Sequence, residues 1–282
     1  MAAFLVYAAL LSRVFPIAPS LQTRILLLNV SLLFAYGLLI RTDVVRPRLL
    51  TSVIRDWLPL GLLPFAYREV GWFALPRADY LLETRLVVWD RCFLRGGGTA
   101  VIESLGPVLP SVLEIAYALV YAVPPFCLAV LYVCGHRKDA GRFLLVVVTA
   151  VLLCYAQLPL WPSEPPRTVF PGEDLPAYLT IFRRFNLWTL AGCGIHTGVF
   201  PSAHVAGAFA AAFGMRRAAP SRRGVAGLLF TMAALIAVAT VYGRYHYLAD
   251  AVAGVLMAGV ALLFSRQFDP APAGPAEGRK MP

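Results

Sequence analysis

Apolar residues run along this chain in long blocks, and polar positions cluster in the gaps between them. A membrane-crossing helix needs roughly 20 mostly apolar residues. Runs of that kind occur at 112–133, 143–161, 200–216, 225–242 and 247–264. Upstream, 25–40 is a short clean run. The run at 2–19 contains Arg13 and lacks both a basic start and an A-x-A cleavage site, so it reads as a retained anchor. Residues 57–75 are interrupted by Pro59, Pro64, Arg68 and Glu69, which leaves open a segment lying on the membrane instead of crossing it. The pattern predicts an all-α, polytopic transmembrane bundle: a core of five to six helices behind extra N-terminal helices. It divides into N-terminal membrane segments and an outer loop at 1–108, a membrane domain at 109–266, and a Pro/Ala/Gly-rich tail at 267–282 expected to be disordered.

Composition agrees with this pattern. Of 282 residues, 59% are hydrophobic and 14% charged, with a mean hydropathy of +0.71, whereas soluble domains carry about 25% charge. The net charge of +10 raises the question of nucleic acid. No basic groove pattern with interleaved aromatics accompanies it, so the arginines are expected at phospholipid head groups, where they also set orientation. The five cysteines form no CxxC pair and no metal-ligand spacing.

The distribution of charge predicts sidedness. The gap at 134–142 holds Arg137, Lys138 and Arg142; that at 216–224 holds Arg216, Arg217, Arg222 and Arg223; the tail adds Arg266, Arg279 and Lys280. The alternate segments, 162–199 and 243–247, hold only Arg167, Arg183, Arg184 and Arg244. By the positive-inside rule the first set is cytoplasmic and the second lies on the non-cytoplasmic face, which in a cell membrane is the outer one.

Two polar islands interrupt the apolar runs on that outer side: GVFPSAHVAGAF at 198–209 and RYHYLAD at 244–250. Ser202 reads as an N-cap ahead of small helix-compatible residues, and a helix N-terminus offers unpaired amides to an anion. The Ser202 hydroxyl and the amides of Ala203 and His204 are therefore candidate phosphate contacts. His246 and Asp250 are four apart, which on a helix places them on one face. The carboxylate is then expected to hold one ring nitrogen and leave the other as nucleophile or base. His204 is a candidate general acid for the departing oxygen. Arg167 and Arg244 are candidates for the phosphoryl oxygens, since the guanidinium fork matches them. Arg183 and Arg184 are expected to face lipid head groups, His196 is a candidate rim residue, and His136 a solvated loop residue. The Ala/Gly stripe at 206–214 reads as close helix packing.

FPSAH followed about forty residues later by HYLADAVAG, with PPR at 165–167 ahead of both, resembles the signature motifs of the type 2 phosphatidic acid phosphatase (PAP2) superfamily over roughly residues 110–265. The resemblance implies a PAP2-like helical core, a nucleophile at His246 oriented by Asp250, and a general acid at His204. It places phosphate contacts at Arg167, Ser202 and the backbone at Ala203, with no metal and no cofactor. Leu160 stands where the motif usually has lysine, Thr240 where it usually has arginine, and Ala203 where glycine is common. These departures look like the inositolphosphotransferase branch, related to inositol phosphorylceramide synthase, with Arg244 as a candidate substitute for the missing arginine.

The expected activity is phosphotransfer or phosphate release on a lipid-linked phosphate ester or diester through a phosphohistidine. The partners are then a lipid phosphate substrate and the lipid bilayer, with no nucleic acid. Two alternatives stay open: a lipid phosphate or prenyl pyrophosphate phosphatase of the same family, and a non-catalytic lipid-phosphate carrier using the same pocket. The sequence leaves the acceptor, the physiological lipid and the oligomeric state undetermined.

Overall fold

The computed structural model describes residues 1–46 and 48–268, and among them the regular structure is entirely helical. The tail expected to be disordered lies, from residue 269 onward, outside the described residues. The chain begins with α1 (Ala2–Val14), α2 (Pro19–Val45) and α3 (Leu49–Val70). There follow α4 (Leu81–Phe93), α5 (Thr99–Glu103), α6 (Val108–Leu119), α7 (Val123–Val133) and α8 (Ala140–Gln157). A short α9 (Pro166–Val169) and α10 (Ile181–Cys193) lead to α11 (Ala203–Ala218), α12 (Arg223–Tyr242) and α13 (Leu248–Arg266).

Among the described residues, five helical stretches are long and apolar enough to cross a membrane: α2, α3, α8 with the 3-10 turn ahead of it, α12 and α13. The runs expected at 143–161, 225–242 and 247–264 thus appear as spans, and the one at 25–40 extends to the full length of α2. Of the 57–75 stretch, residues 57–70 belong to α3, a continuous helix that passes the same test with Pro59 and Pro64 inside it, and 71–75 lie beyond its end. Helical membrane segments tolerate isolated prolines because neighbouring groups take up the freed carbonyls. The run at 2–19 forms a helix of only 13 residues. The 200–216 run forms 16-residue α11, which is shorter than a typical span.

The 112–133 run is not one helix. It breaks at residues 120–122, immediately before Pro124 and Pro125. Two consecutive prolines remove the donors that would have bonded the carbonyls of Val120 and Tyr121, so the ladder stops and restarts. A second break, between α5 and α6, turns the chain by 108°. Gly106 there has φ +62°, a conformation that glycine adopts without strain, and Pro107 follows.

Helix α11 is the centre of the bundle. It packs on α7, α8, α12 and α13, and Ala206, Gly207, Ala208, Ala210, Ala211, Ala212 and Gly214 along it are all buried. The small side chains permit this: a Cβ on Gly207 would meet the Val151 side chain at 3.3 Å, and one on Gly214 would meet Phe143 at 2.9 Å. The stripe is a close-packing surface, as the sequence suggested. Helices α1–α3 build a second apolar cluster against α8.

Candidate functional site

The two histidine motifs converge where α11 begins and where α12 turns into α13. Ser202 is the N-cap of α11, its Oγ accepting the Val205 amide at 3.3 Å. Among the described residues no acceptor bonds the amides of Ala203 and His204, so both remain available to an anion. The Ser202 amide donates to the Asp250 carbonyl at 3.0 Å, tying the start of α11 to the first turn of α13. That approach requires Gly254, where a Cβ would lie 2.5 Å from the Ser202 carbonyl oxygen.

The turn between α12 and α13 is pinned by its own backbone. The amides of Tyr245 and His246 both donate to the Thr240 carbonyl, at 2.9 and 3.0 Å, and Arg244 takes a left-handed φ of +61° to make the reversal. His246 therefore lies ahead of α13, whose N-cap is Tyr247. His246 and Asp250 do come together, Nδ1 to Oδ2 at 3.4 Å, but across the start of α13 and not along one helical face. Asp250 occupies the third helical position, and its Oδ2 accepts the Tyr247 amide at 2.9 Å, the carboxylate half of a capping box. His246 Nδ1 lies 3.4 Å from the same oxygen but only 2.8 Å from the Val199 carbonyl. The carbonyl is the closer partner, with the carboxylate beside it.

His246 Nε2 faces His204 Nδ1 at 3.0 Å, and the rings meet edge to face. His204 Nε2 lies 2.9 Å from the Tyr121 hydroxyl, and the Tyr117 and Tyr121 rings pack on the imidazole. His246 is 4% exposed. Burial pushes its imidazole down to about 4; the Val199 bond opposes the shift and the charge of Arg167 adds to it.

The candidate arginines separate. Arg167, on α9, is half-buried; its amide donates to the Arg244 carbonyl and its guanidinium lies 5.6 Å over the Tyr245 ring. Among the described residues no carboxylate stands within ion-pair distance of it, and its charge reaches both imidazoles. Arg244 does not join the site as expected. Its side chain is fully buried and runs to α4, where Nη1 meets Asp90 Oδ2 at 2.5 Å. The other Asp90 oxygen accepts the Leu248 amide at 2.7 Å, so one carboxylate grips the chain on both sides of His246.

Arg183, expected at lipid head groups, is buried as well. It donates to Glu114 Oε1 at 2.9 Å and to the Gly243 carbonyl at 3.1 Å. Glu114 Oε2 accepts from Asn186 and from the Tyr245 hydroxyl, at 2.7 and 2.6 Å, and Tyr245 stacks on Tyr117. This network underlies the 243–245 turn. Arg184 and His196 are exposed, and His136 pairs loosely with Asp139 away from the site.

The PAP2 superfamily model matches residues 100–264, more than half of the sequence. The chain belongs to the PAP2 superfamily. Members of this superfamily are in general phosphatases or phosphotransferases, and the match spans both histidine motifs and Arg167. Among curated proteins and among solved structures, nothing matches the chain. Asp90 lies outside the PAP2-matched region. Glu114, Tyr121 and Arg183 lie inside it, but no motif drew attention to them. A carboxylate at 114 within an apolar run was a usable signal, because ionisable groups at such positions are costly and need a partner. Tyr121 and Asp90 carried no comparable signal.

Proposed function

We propose that this PAP2 protein is an integral-membrane phosphotransferase or phosphatase that acts on a lipid-linked phosphate ester or diester through a phosphohistidine at His246. The observation that carries the reading is the polarity of the His246 ring. A carbonyl can only accept, so Nδ1 bears the hydrogen that meets Val199 at 2.8 Å, and Nε2 holds a lone pair directed at His204. A neutral ring with a lone pair on the nitrogen that faces the general acid is what nucleophilic attack requires.

In the first step Nε2 of His246 forms a bond to phosphorus while the bond to the leaving oxygen breaks, and His204, entering the step protonated on both nitrogens, gives that oxygen its Nδ1 proton and keeps the hydrogen on Nε2. In the second step His204 takes a proton from water or from a lipid hydroxyl; the resulting oxygen attacks phosphorus and His246 is released. The substrate phosphoryl group takes the place of the direct imidazole contact. Arg167 supplies positive charge, and the Ala203 and His204 amides with Ser202 hold non-bridging oxygens. Asp250, beside Nδ1, favours the ring in its charged, phosphorylated form. Arg244 acts indirectly, by shaping the turn that carries His246.

Thr240 and Leu160 in place of basic residues support the inositolphosphotransferase-like branch, with a lipid hydroxyl as acceptor. Tyr117 and Tyr121, which pack on His204, also line a cavity of about 80 Å³ between α6 and α10 together with Phe185, Thr189 and Leu190. This mostly apolar lining suits a lipid substrate. The excess of basic residues in the gaps at 134–142 and 216–224 supports a site on the non-cytoplasmic face of the cell membrane.

The test is to incubate purified protein in detergent with phosphatidate, prenyl pyrophosphate, or phosphatidylinositol plus ceramide. Released phosphate and transferred head group are then measured. His246→Ala is expected to remove turnover by orders of magnitude and to abolish an acid-labile, base-stable phosphoprotein formed from labelled substrate. Binding of these lipids with no turnover across the panel would identify a carrier and overturn the proposal.

A further inference from the structure

Among the described residues outside the motifs, one side chain touches the histidine pair directly through a hydrogen bond: Tyr121, at the break between α6 and α7. Its hydroxyl lies 2.9 Å from His204 Nε2. The direction of every bond in this row follows from its far end. Val199 contributes a carbonyl, so His246 Nδ1 must be the donor to it. With His246 neutral, its Nε2 has only a lone pair, and the 3.0 Å contact requires the hydrogen on His204 Nδ1. With His204 also neutral, its Nε2 is then a lone pair, and Tyr121 must donate. One arrangement satisfies all three contacts: Tyr121 O–H to His204, His204 Nδ1–H to His246, His246 Nδ1–H to Val199.

We infer that Tyr121 is a positioning residue that, acting with His246 at the other nitrogen, fixes the tautomer of the resting His204 and keeps its hydrogen on the nitrogen that faces His246. With the hydroxyl gone, the His246 contact alone opposes the other tautomer, in which the hydrogen on Nε2 points away from the reacting centre. When His204 gains a second proton during turnover, Nε2 becomes a donor and the same hydroxyl rotates to accept. A hydroxyl suits this position because it can do both. The other groups facing His204 are His246 and the Tyr117 ring, with Arg167 acting through its charge, and none of them bonds Nε2. The tandem prolines supply the geometry, since they end α6 at Leu119 and leave Tyr121 in the short turn before α7.

This inference rests on the proposed phosphotransfer for its kinetic consequence, but its structural content is measurable without turnover. Tyr121→Phe removes one oxygen, keeps the ring that packs on His204, and sits at an exposed position, so the fold is retained. The chain has four histidines. With ¹⁵N-labelled histidine in detergent, His204, assigned by comparison with His204→Gln, is expected to show a protonated Nδ1 and a bare Nε2. In Tyr121→Phe the signal is expected to shift towards the Nε2–H form. The expected companion effect is a fall in kcat of about 10- to 100-fold with KM changed less than about threefold, the range for disturbing a general acid without removing it. An unchanged His204 tautomer in Tyr121→Phe would overturn the inference whatever the kinetics. Loss of the tautomer preference in a protein that turns over no substrate would uphold it and sink the catalytic reading instead.

Discussion

Asp90 lies outside the family-matched region and yet holds the turn that carries His246, so its removal is the most demanding test of how this site is built. The Arg244–Asp90 pair is fully buried, with 0% exposure on both side chains and a 2.5 Å contact. Arg244 Nε and Nη2 already lack partners among the described residues, so in Asp90→Ala the whole guanidinium is left without an acceptor. Breaking a buried pair by removing one partner costs about 3–5 kcal/mol, and the Leu248 amide, bonded to the same carboxylate at 2.7 Å, loses its acceptor too. Removing Arg244 in the same chain takes away the stranded charge. Glycine at that position also relieves the left-handed backbone, which costs about 1–2 kcal/mol for other residues. The double variant Asp90→Ala/Arg244→Gly is therefore expected to recover about 2 kcal/mol or more relative to Asp90→Ala. Unfolding in mixed micelles titrated with SDS gives the free energies. Turnover should stay low in both variants, because neither restores the grip on residues 244 and 248. A single variant that loses less than about 1 kcal/mol, or a double variant no more stable than the single, would refute the reasoning.

The pH dependence follows from His246, which must be unprotonated to attack. Its folded value of about 4 keeps it neutral from neutrality down to that pH, so the nucleophile's limb in kcat/KM should fall near pH 4 and not near 6.5. Arg167→Gln removes a charge that depresses this value, so the limb should move upward while KM rises. Gly254→Ala would place a Cβ 2.5 Å from the Ser202 carbonyl oxygen and 3.1 Å from Val205 Cβ. It is expected to cost about 1–3 kcal/mol and to lower turnover. Gly259→Ala on the same helix, with nothing within 4 Å, should be neutral or gain about 0.5–1 kcal/mol, which the same SDS titration will show. Glu114→Ala strands Arg183, Asn186 and the Tyr245 hydroxyl together. It is expected to destabilise by about 3–5 kcal/mol, whereas Glu114→Gln, which keeps acceptor and shape, should lose less.

What could be read from the sequence was what polar residues cost in an apolar chain. His204, His246 and Asp250 stood out because ionisable groups at the ends of membrane runs need a reason to be there, and Ser202 because a cap precedes a helix in a recognisable way. The errors came from applying local rules beyond their reach. Spacing by four places two side chains on one face only inside a helix, and Tyr247 caps α13 one residue after His246, so Asp250 spends its best hydrogen bond on the helix start. Arg183 was expected at lipid head groups and Arg244 at the phosphate because their partners, Glu114 and Asp90, lie 69 and 154 residues away. Isolated prolines in α3 and paired ones in the first turn of α7 look alike in a hydropathy pattern, yet only the pair broke the helix.

These failures share a cause, and it bears on how the molecule is divided. Each missed residue acts by holding another, and the partner is distant in the chain. The motifs mark which groups face the phosphate, while the groups that hold them come from α4, α6, the α6–α7 break and α10. The segment at 1–108 was set apart from the membrane domain at 109–266, but Asp90 on α4 bonds both ends of the turn that carries His246. Residues before position 100 therefore belong to the physical site even though the family match begins there. A chain trimmed to the matched region would retain both imidazoles and Arg167. It would also leave Arg244 as an unpaired charge inside the bundle, directly beside the residue proposed to attack phosphorus.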